Sequence, residues 1–262
     1  MIKIHKKECP LELTEDLKEQ LTEEFRKTGK AVWKQDFIVK ALLESSHSKC
    51  CYCECKIDRE SKYMEVEHYH DKKHNDSLVV DWDNLLPSCK RCNGRKSTFN
   101  TVREPFINPA NIDPKEHLII SSYRLYPKSP EGKNTIDVLL LNDRKRLVLP
   151  RFEIADAVIN QIDELLSRVE DYNNGTRKTH QNRSSILGAI EYLMLEGLAE
   201  AEYSATVATT LLENIKFREV IRIIKIEGLW DEALDELYEK VCENKLDTDI
   251  NTAQEFLKDN NS

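Results

Sequence analysis

Among the 262 residues of this chain, one stretch combines residue types and spacing that can do chemistry, the segment from Cys50 to Lys96. Cys50 and Cys53 form one Cys-x-x-Cys pair and Cys89 and Cys92 a second, with a 35-residue insert between them. Four thiolates in two such knuckles suit tetrahedral zinc, and a site with four cysteine ligands has no open position for catalysis. Reactive groups must therefore come from elsewhere. The insert supplies Glu67-His68 and Asn84, and Asn93 directly follows the last cysteine of the quartet. Cys51 and Cys55 leave an ambiguity of register. Cys50 and Cys53 are preferred because they alone give two matching knuckles. Cys9 and Cys242 read as small buried hydrophobes.

Glu67 and the side-chain oxygen of Asn93 can hold a hard cation such as Mg²⁺, which takes oxygen ligands and uses one or two protein groups plus substrate phosphate. A neutral His68 beside a phosphate held in this way can remove a proton from an attacking water. Asn84 suits a supporting role, orienting the imidazole or bracing its loop. Lys96, one turn beyond Asn93, joins Arg91 and Arg95 as a candidate for contacting substrate phosphates. His70 and His74 read as loop residues rather than ligands, with contact to phosphate as the open alternative, and His5, His47, His117 and His180 as ordinary surface or core histidines.

These groups need a scaffold. Alternation over residues 63–68 predicts a short strand delivering Glu67-His68 at its end, and Leu85-Leu86-Pro87 a second one. Ser88 is placed to cap a helix from Cys89 to about Phe99. Upstream, Thr14 caps a helix carrying Leu17, Leu21 and Phe25 that stops near Gly29. A second helix spans Ala31–Glu44, with Trp33, Phe37, Ala41 and Leu42 as its core stripe. Residues 118–120 read as a strand, and Thr135 as the cap of a short helix through Leu141. Past Pro150, helices are expected at 151–172, 184–199, 204–227 and 231–244, followed by a frayed polar tail after Asp247. The fold class is thus α+β and predominantly helical. It divides into N-terminal helices (1–45), a zinc-bearing ββα domain (46–150) and an acidic helical region (151–262).

Composition narrows the setting. The chain is 40% hydrophobic and 33% charged, with 7 Gly and 8 Pro, as in an ordinary helix-rich globular protein. The start, MIKIHKKECPLEL, lacks the apolar stretch of a signal peptide, and no apolar run approaches the ~20 residues of a membrane span. A cytoplasmic location is expected, where cysteines serve metal or catalysis rather than cross-links. The formal charge of -8 is unevenly spread. Residues 151–262 hold 12 Lys/Arg against 23 Asp/Glu, a net of -11, which leaves +3 for residues 1–150. Contact with nucleic acid belongs to the first half, and the acidic helices suit a protein partner.

Glu67-His68, Asn84 and Asn93 match the D/E-H, N and N/H elements of the HNH endonucleases, which the chain resembles. The resemblance extends to the PtuB nuclease subunits of Septu anti-phage systems and their relatives in some retron systems. It is carried by Lys49-Cys50-Cys51-Tyr52-Cys53-Glu54, Glu67-His68-Tyr69, Trp82-Asp83-Asn84-Leu85-Leu86 and Cys89-x-x-Cys92-Asn93-x-x-Lys96. Asn108-Pro109, Glu116-His117-Leu118 and Asn134-Thr135-Ile136 add to it. It covers residues 30–150 clearly and the acidic helices only in general character. It implies a ββα-metal fold, metal-dependent cleavage of nucleic acid (DNA favoured over RNA) in phage defence, and a hetero-oligomeric complex with an ATPase partner, PtuA. Two departures stand out: Glu67 replaces the aspartate of many HNH nucleases, and Asp71 stands where related sequences often have proline. Neither removes a required chemical group.

Other readings fare less well. A zinc nucleobase deaminase needs Pro-Cys-x-x-Cys and an upstream His-x-Glu, but Ser88 separates Pro87 from Cys89 and no His-x-Glu precedes it. Gly94-Arg95-Lys96-Ser97 lacks the earlier glycine of a phosphate loop. The alternative that stays open is a zinc-stabilised nucleic-acid or protein binding module without catalysis.

Overall fold

A computed structural model describes residues 1–57 and 63–259. The chain forms two compact units, one made of residues 1–143 with the segment from Asp249 onward, the other of residues 144–248.

The first unit opens with α1, Glu15–Thr28. Thr14 caps it by accepting from the Leu17 amide, and Gly29 closes it at φ 68°, a left-handed conformation that glycine adopts without a Cβ penalty. α2, Asp36–Ser45, begins later than the expected Ala31 because Val32 and Trp33 lie in a turn. β1, Met64–His68, pairs antiparallel with β2, Leu85–Cys89, setting Glu67 opposite Leu86 and His68 opposite Leu85. Strand alternation sends Val66 and His68 to one face of this ribbon and Glu67 to the other. Val66 joins Leu21, Trp33, Ile38, Leu42 and Leu85 in the core built with α1 and α2.

β2 runs straight into α3, Lys90–Lys96, completing the expected strand, strand, helix order. The cap is Cys89 rather than Ser88. Its sulfur accepts from the Cys92 amide, and Ser97, at φ 46°, ends the helix short of Phe99. β3, Leu118–Ser121, and β4, Arg124–Pro127, form a hairpin whose two-residue turn, Ser122-Tyr123, has φ of 46° and 62°. Such turns favour Asn-Gly, so β4 carries no turn signal in the sequence. α4, Pro130–Leu139, is capped by Ser129. Thr135, expected as its cap, is buried inside the helix and accepts from the Ile107 amide.

The second unit starts with a π-helical turn, Arg144–Val148, that leads into α5, Leu149–Asn173. α6 (His180–Leu195), α7 (Ser204–Glu213), α8 (Ile215–Ile226) and α9 (Glu232–Asn244) pack around a core containing Ile162, Leu165, Ile190, Leu211 and Phe217. The single helix expected over 204–227 is divided at Asn214, whose side-chain oxygen accepts from the Lys216 and Phe217 amides and caps a new helix. The break redirects the apolar stripe: Val207, Leu211, Ile223 and Ile224 are buried, while Ile215 and Ile226 are exposed. The tail is not frayed from Asp247. It forms α10, Ile250–Asp259, which buries Ala253 and packs on the β3–β4 hairpin, so residues 151–262 are shared between the two units. No helix of the described residues is long and apolar enough to cross a membrane.

Candidate active site and metal centre

The first knuckle is folded by its own backbone. Cys50 N–H donates to the Cys55 carbonyl and Glu54 N–H to the Cys50 carbonyl, with Glu54 at φ 64°. Cys51 N–H bonds the Pro87 carbonyl and docks the knuckle on β2. The sulfurs of Cys50, Cys53, Cys89 and Cys92 then lie within 4.8 Å of one another. A tetrahedral zinc with bonds of about 2.3 Å sets its sulfurs roughly 3.8 Å apart. Cys53 and Cys89 are 3.8 Å apart. Donor type and spacing both fit zinc, and the quartet is the one that two matched knuckles require. Cys51 falls outside it. So does Cys55, although its sulfur is 3.4 Å from that of Cys53.

Directly beside this centre, a cavity of about 270 Å³ is lined by Glu67, His68 and Asn93 together with Asp71, Lys72, Lys73, Gly94, Ser97 and Thr98. His68 and Glu67 reach it from the end of β1, and Asn93 from α3. His68 is 4% exposed, and its Nε2 lies 2.9 Å from the Val79 carbonyl oxygen. A carbonyl only accepts, so Nε2 carries the proton and Nδ1 keeps its lone pair. Burial is the main force on its pKa and lowers it to about 4, against the opposing Val79 bond. The imidazole is therefore neutral near pH 7.

Glu67 is equally enclosed, at 2% exposure. Burial pushes its carboxyl up to about 7, opposed chiefly by the Lys96 ammonium 2.6 Å from Oε1. The ammonium occupies one lone pair of Oε1 in a charge-assisted contact, and the carboxylate keeps acceptor capacity beyond it. An enclosed carboxylate oxygen with a spare lone pair, sharing a cavity with Asn93, is a donor set that a hard cation fits.

Asn84 holds the connection between the strands. Its Oδ1 accepts from the His70 amide at 2.7 Å, and its Nδ2 donates to the carbonyls of His70 and Leu78 at 3.0 Å. It braces the loop and does not touch the imidazole. Asp71 turns the same loop, its carboxylate accepting from the Lys73 and His74 amides.

The three basic residues expected at the substrate part company. Lys96 is 1% exposed, and its ammonium donates to the His68 carbonyl at 2.7 Å while pairing with Glu67. It fastens α3 to the end of β1 and cannot reach a phosphate. Arg91 donates to the Leu140 carbonyl at the end of α4. Arg95 is exposed on α3 and does not line the cavity.

Two residues gain roles that sequence reasoning did not give them. The Trp33 ring meets the His68 imidazole edge to face, with centroids 4.7 Å apart at 87°, and the Lys72 ammonium lies 4.9 Å from the Trp33 ring centre. The apolar stripe marks Trp33 as core, which it is; its contact with His68 spans 35 positions of sequence, and no local pattern signals it.

Residues 50–99 match the HNH endonuclease family model, and the strand pair, helix and shared cavity all fall within or directly beside that segment. The chain is 42% identical over 231 residues to the Septu protein PtuB of Bacillus thuringiensis, covering 88% of this chain and 90% of that relative. The chain belongs to the PtuB family. A second PtuB, from Bacillus mycoides (strain KBAB4), is 29% identical over 156 residues, covering 47% of this chain and 52% of that protein. No solved structure matches. As a PtuB-family protein, the chain carries an HNH endonuclease domain with a cysteine quartet able to hold a metal, followed by helices absent from the HNH segment.

Proposed function

We propose that this chain is a metal-dependent endonuclease that hydrolyses phosphodiester bonds of nucleic acid, with DNA the favoured substrate, and that it acts as a nuclease effector in anti-phage defence. The observation that carries the reading is the neutral, enclosed His68, whose Nε2 is committed to Val79 and which lines a cavity with Glu67 and Asn93.

In this reading His68 Nδ1 takes the proton of the attacking water, and the Val79 carbonyl fixes the ring and stabilises the imidazolium that forms. Glu67 and Asn93 would hold a divalent cation such as Mg²⁺. When bound, such an ion supplies charge stabilisation to the scissile phosphate. Asn84 positions the loop behind His68, and Lys96 holds Glu67 and the His68 carbonyl in place. Zinc at the four cysteines is structural, and its reduced thiolates accord with a cytoplasmic location.

The weak positive balance of residues 1–150 suits a nuclease that shares its grip on substrate with a partner. We assign that partner as an ATPase subunit that docks on the acidic helices after Pro150, within a hetero-oligomeric complex. The test is incubation of the purified complex with plasmid DNA and with RNA, with and without Mg²⁺. Nicking of DNA that requires the cation supports the reading. Binding without cleavage under every cation condition would instead support a zinc-stabilised binding module.

A further inference from the structure

We propose that Lys72 grips a backbone phosphate next to the scissile bond, and that Trp33 is the positioning residue that holds both this lysine and the base His68. The inference rests on the nuclease reading and adds to it a substrate contact outside the HNH triad.

A nucleic-acid substrate brings an anion to every nucleotide, and a site that accepts it needs an accessible cation near the reacting phosphate. α3 does not present one inside the cavity. Lys96 is enclosed and committed to Glu67 and the His68 carbonyl, Arg91 is bound to Leu140, and Arg95 stands outside the cavity wall. Lys72 is different. It lines the cavity with Glu67, His68 and Asn93, it is half-buried, and among the described residues its ammonium forms no ion pair.

Trp33 explains how a lysine can be held there. The ammonium lies 4.9 Å from the indole centre, inside the range of a cation–π contact. Resting on that face, the four-carbon side chain has fewer conformations to lose when it meets a phosphate. The same indole meets the His68 imidazole edge to face, is 8% exposed, and is itself packed by Phe25 with ring centroids 5.8 Å apart. One aromatic ring from the segment between α1 and α2 thus supports the base and the phosphate contact together. The loop that carries Lys72 is fixed from below by Asp71, whose carboxylate accepts from the two following amides at 73 and 74. Lys73 is exposed beside Lys72, and Ser97 and Thr98 also line the cavity, so further phosphate contacts have donors available.

The experiment compares the full chain, in its purified complex, as wild type, Lys72→Ala, Lys72→Arg and Trp33→Leu, by steady-state cleavage of end-labelled DNA over a range of salt. Lys72→Ala is expected to raise KM about 5- to 10-fold with kcat within about 2-fold of wild type, and to lower the slope of log affinity against log salt by about one counterion. Zinc content and thermal midpoint stay unchanged, and Lys72→Arg restores most of the KM. Trp33→Leu is expected to lower kcat as well as raise KM; should it fold poorly, the lysine pair decides alone. A cleaving Lys72→Ala protein with wild-type KM and salt slope overturns the inference while leaving the nuclease reading intact, as does a loss confined to kcat. If the wild-type complex cleaves no nucleic acid, the nuclease reading and this inference both fall.

Discussion

His68 Nε2 lies 2.9 Å from the carbonyl oxygen of Val79, and both residues are buried. This one contact fixes which imidazole nitrogen can act. With Nε2 donating to a group that can only accept, the lone pair must sit on Nδ1.

The first prediction follows from that assignment. ¹⁵N NMR of the zinc-loaded protein without Mg²⁺ should show His68 as the neutral tautomer protonated at Nε2. Because burial lowers its pKa to about 4, the folded ring binds its proton later than an unfolded one as pH falls. Its resonances should stay flat between about pH 5 and 8, where an unperturbed histidine changes charge. A midpoint near 6.5, or an Nδ1-protonated ring, contradicts the assignment.

Asn84 is predicted to act on rate through the loop. Asn84→Ala removes hydrogen bonds to His70 N–H, His70 C=O and Leu78 C=O, leaving partly buried backbone groups unpaired at a cost of about 1–3 kcal/mol. Cleavage should fall roughly 10- to 100-fold, as for other groups that orient a site from behind. Hydrogen exchange should show faster opening confined to residues 70–84. Wild-type cleavage with faster exchange in that loop would separate bracing from catalysis and remove Asn84 from the mechanism.

The sequence made the centre of this molecule legible because its signals are local. Two Cys-x-x-Cys knuckles name a zinc quartet, alternation over Met64–His68 names a strand, and Thr14 with Gly29 bounds a helix. What stayed hidden depends on direction or distance. Helical spacing puts Lys96 on the face of Asn93, yet only packing shows that its ammonium turns inward to Glu67 and the His68 carbonyl. Trp33 reads as core, and its contact with His68 exists only once β1 is laid against the segment that precedes α2. β4 lacked a signal because Ser122-Tyr123 is unusual chemistry for its turn, and α10 because its composition is polar although Ala253 is buried.

The cysteine quartet is predicted to carry one zinc per chain, measured by elemental analysis. Cys89→Ser should lose it and destabilise the first unit severely, since structural zinc contributes about 10 kcal/mol or more in small domains. Cys55→Ser should retain it, because its sulfur lies outside the quartet despite its 3.4 Å approach to Cys53. Zinc lost with Cys55 and kept without Cys89 would overturn the ligand set.

The partner surface can be tested in the full chain. Glu232, Glu236 and Glu239 are exposed on α9, so reversing all three to lysine should leave the fold intact. Co-purification with the proposed ATPase partner should weaken about 10-fold, most clearly at low salt. Undiminished binding would move the partner surface off this face.

The most direct measurement is single-turnover cleavage of DNA by the purified complex with Mg²⁺, wild type against His68→Ala, with zinc content and thermal midpoint taken on the same samples. Loss of the proposed general base should slow cleavage by about 10²- to 10⁴-fold while zinc content and folding are unchanged. A folded, zinc-loaded His68→Ala protein that cuts at the wild-type rate would contradict the account.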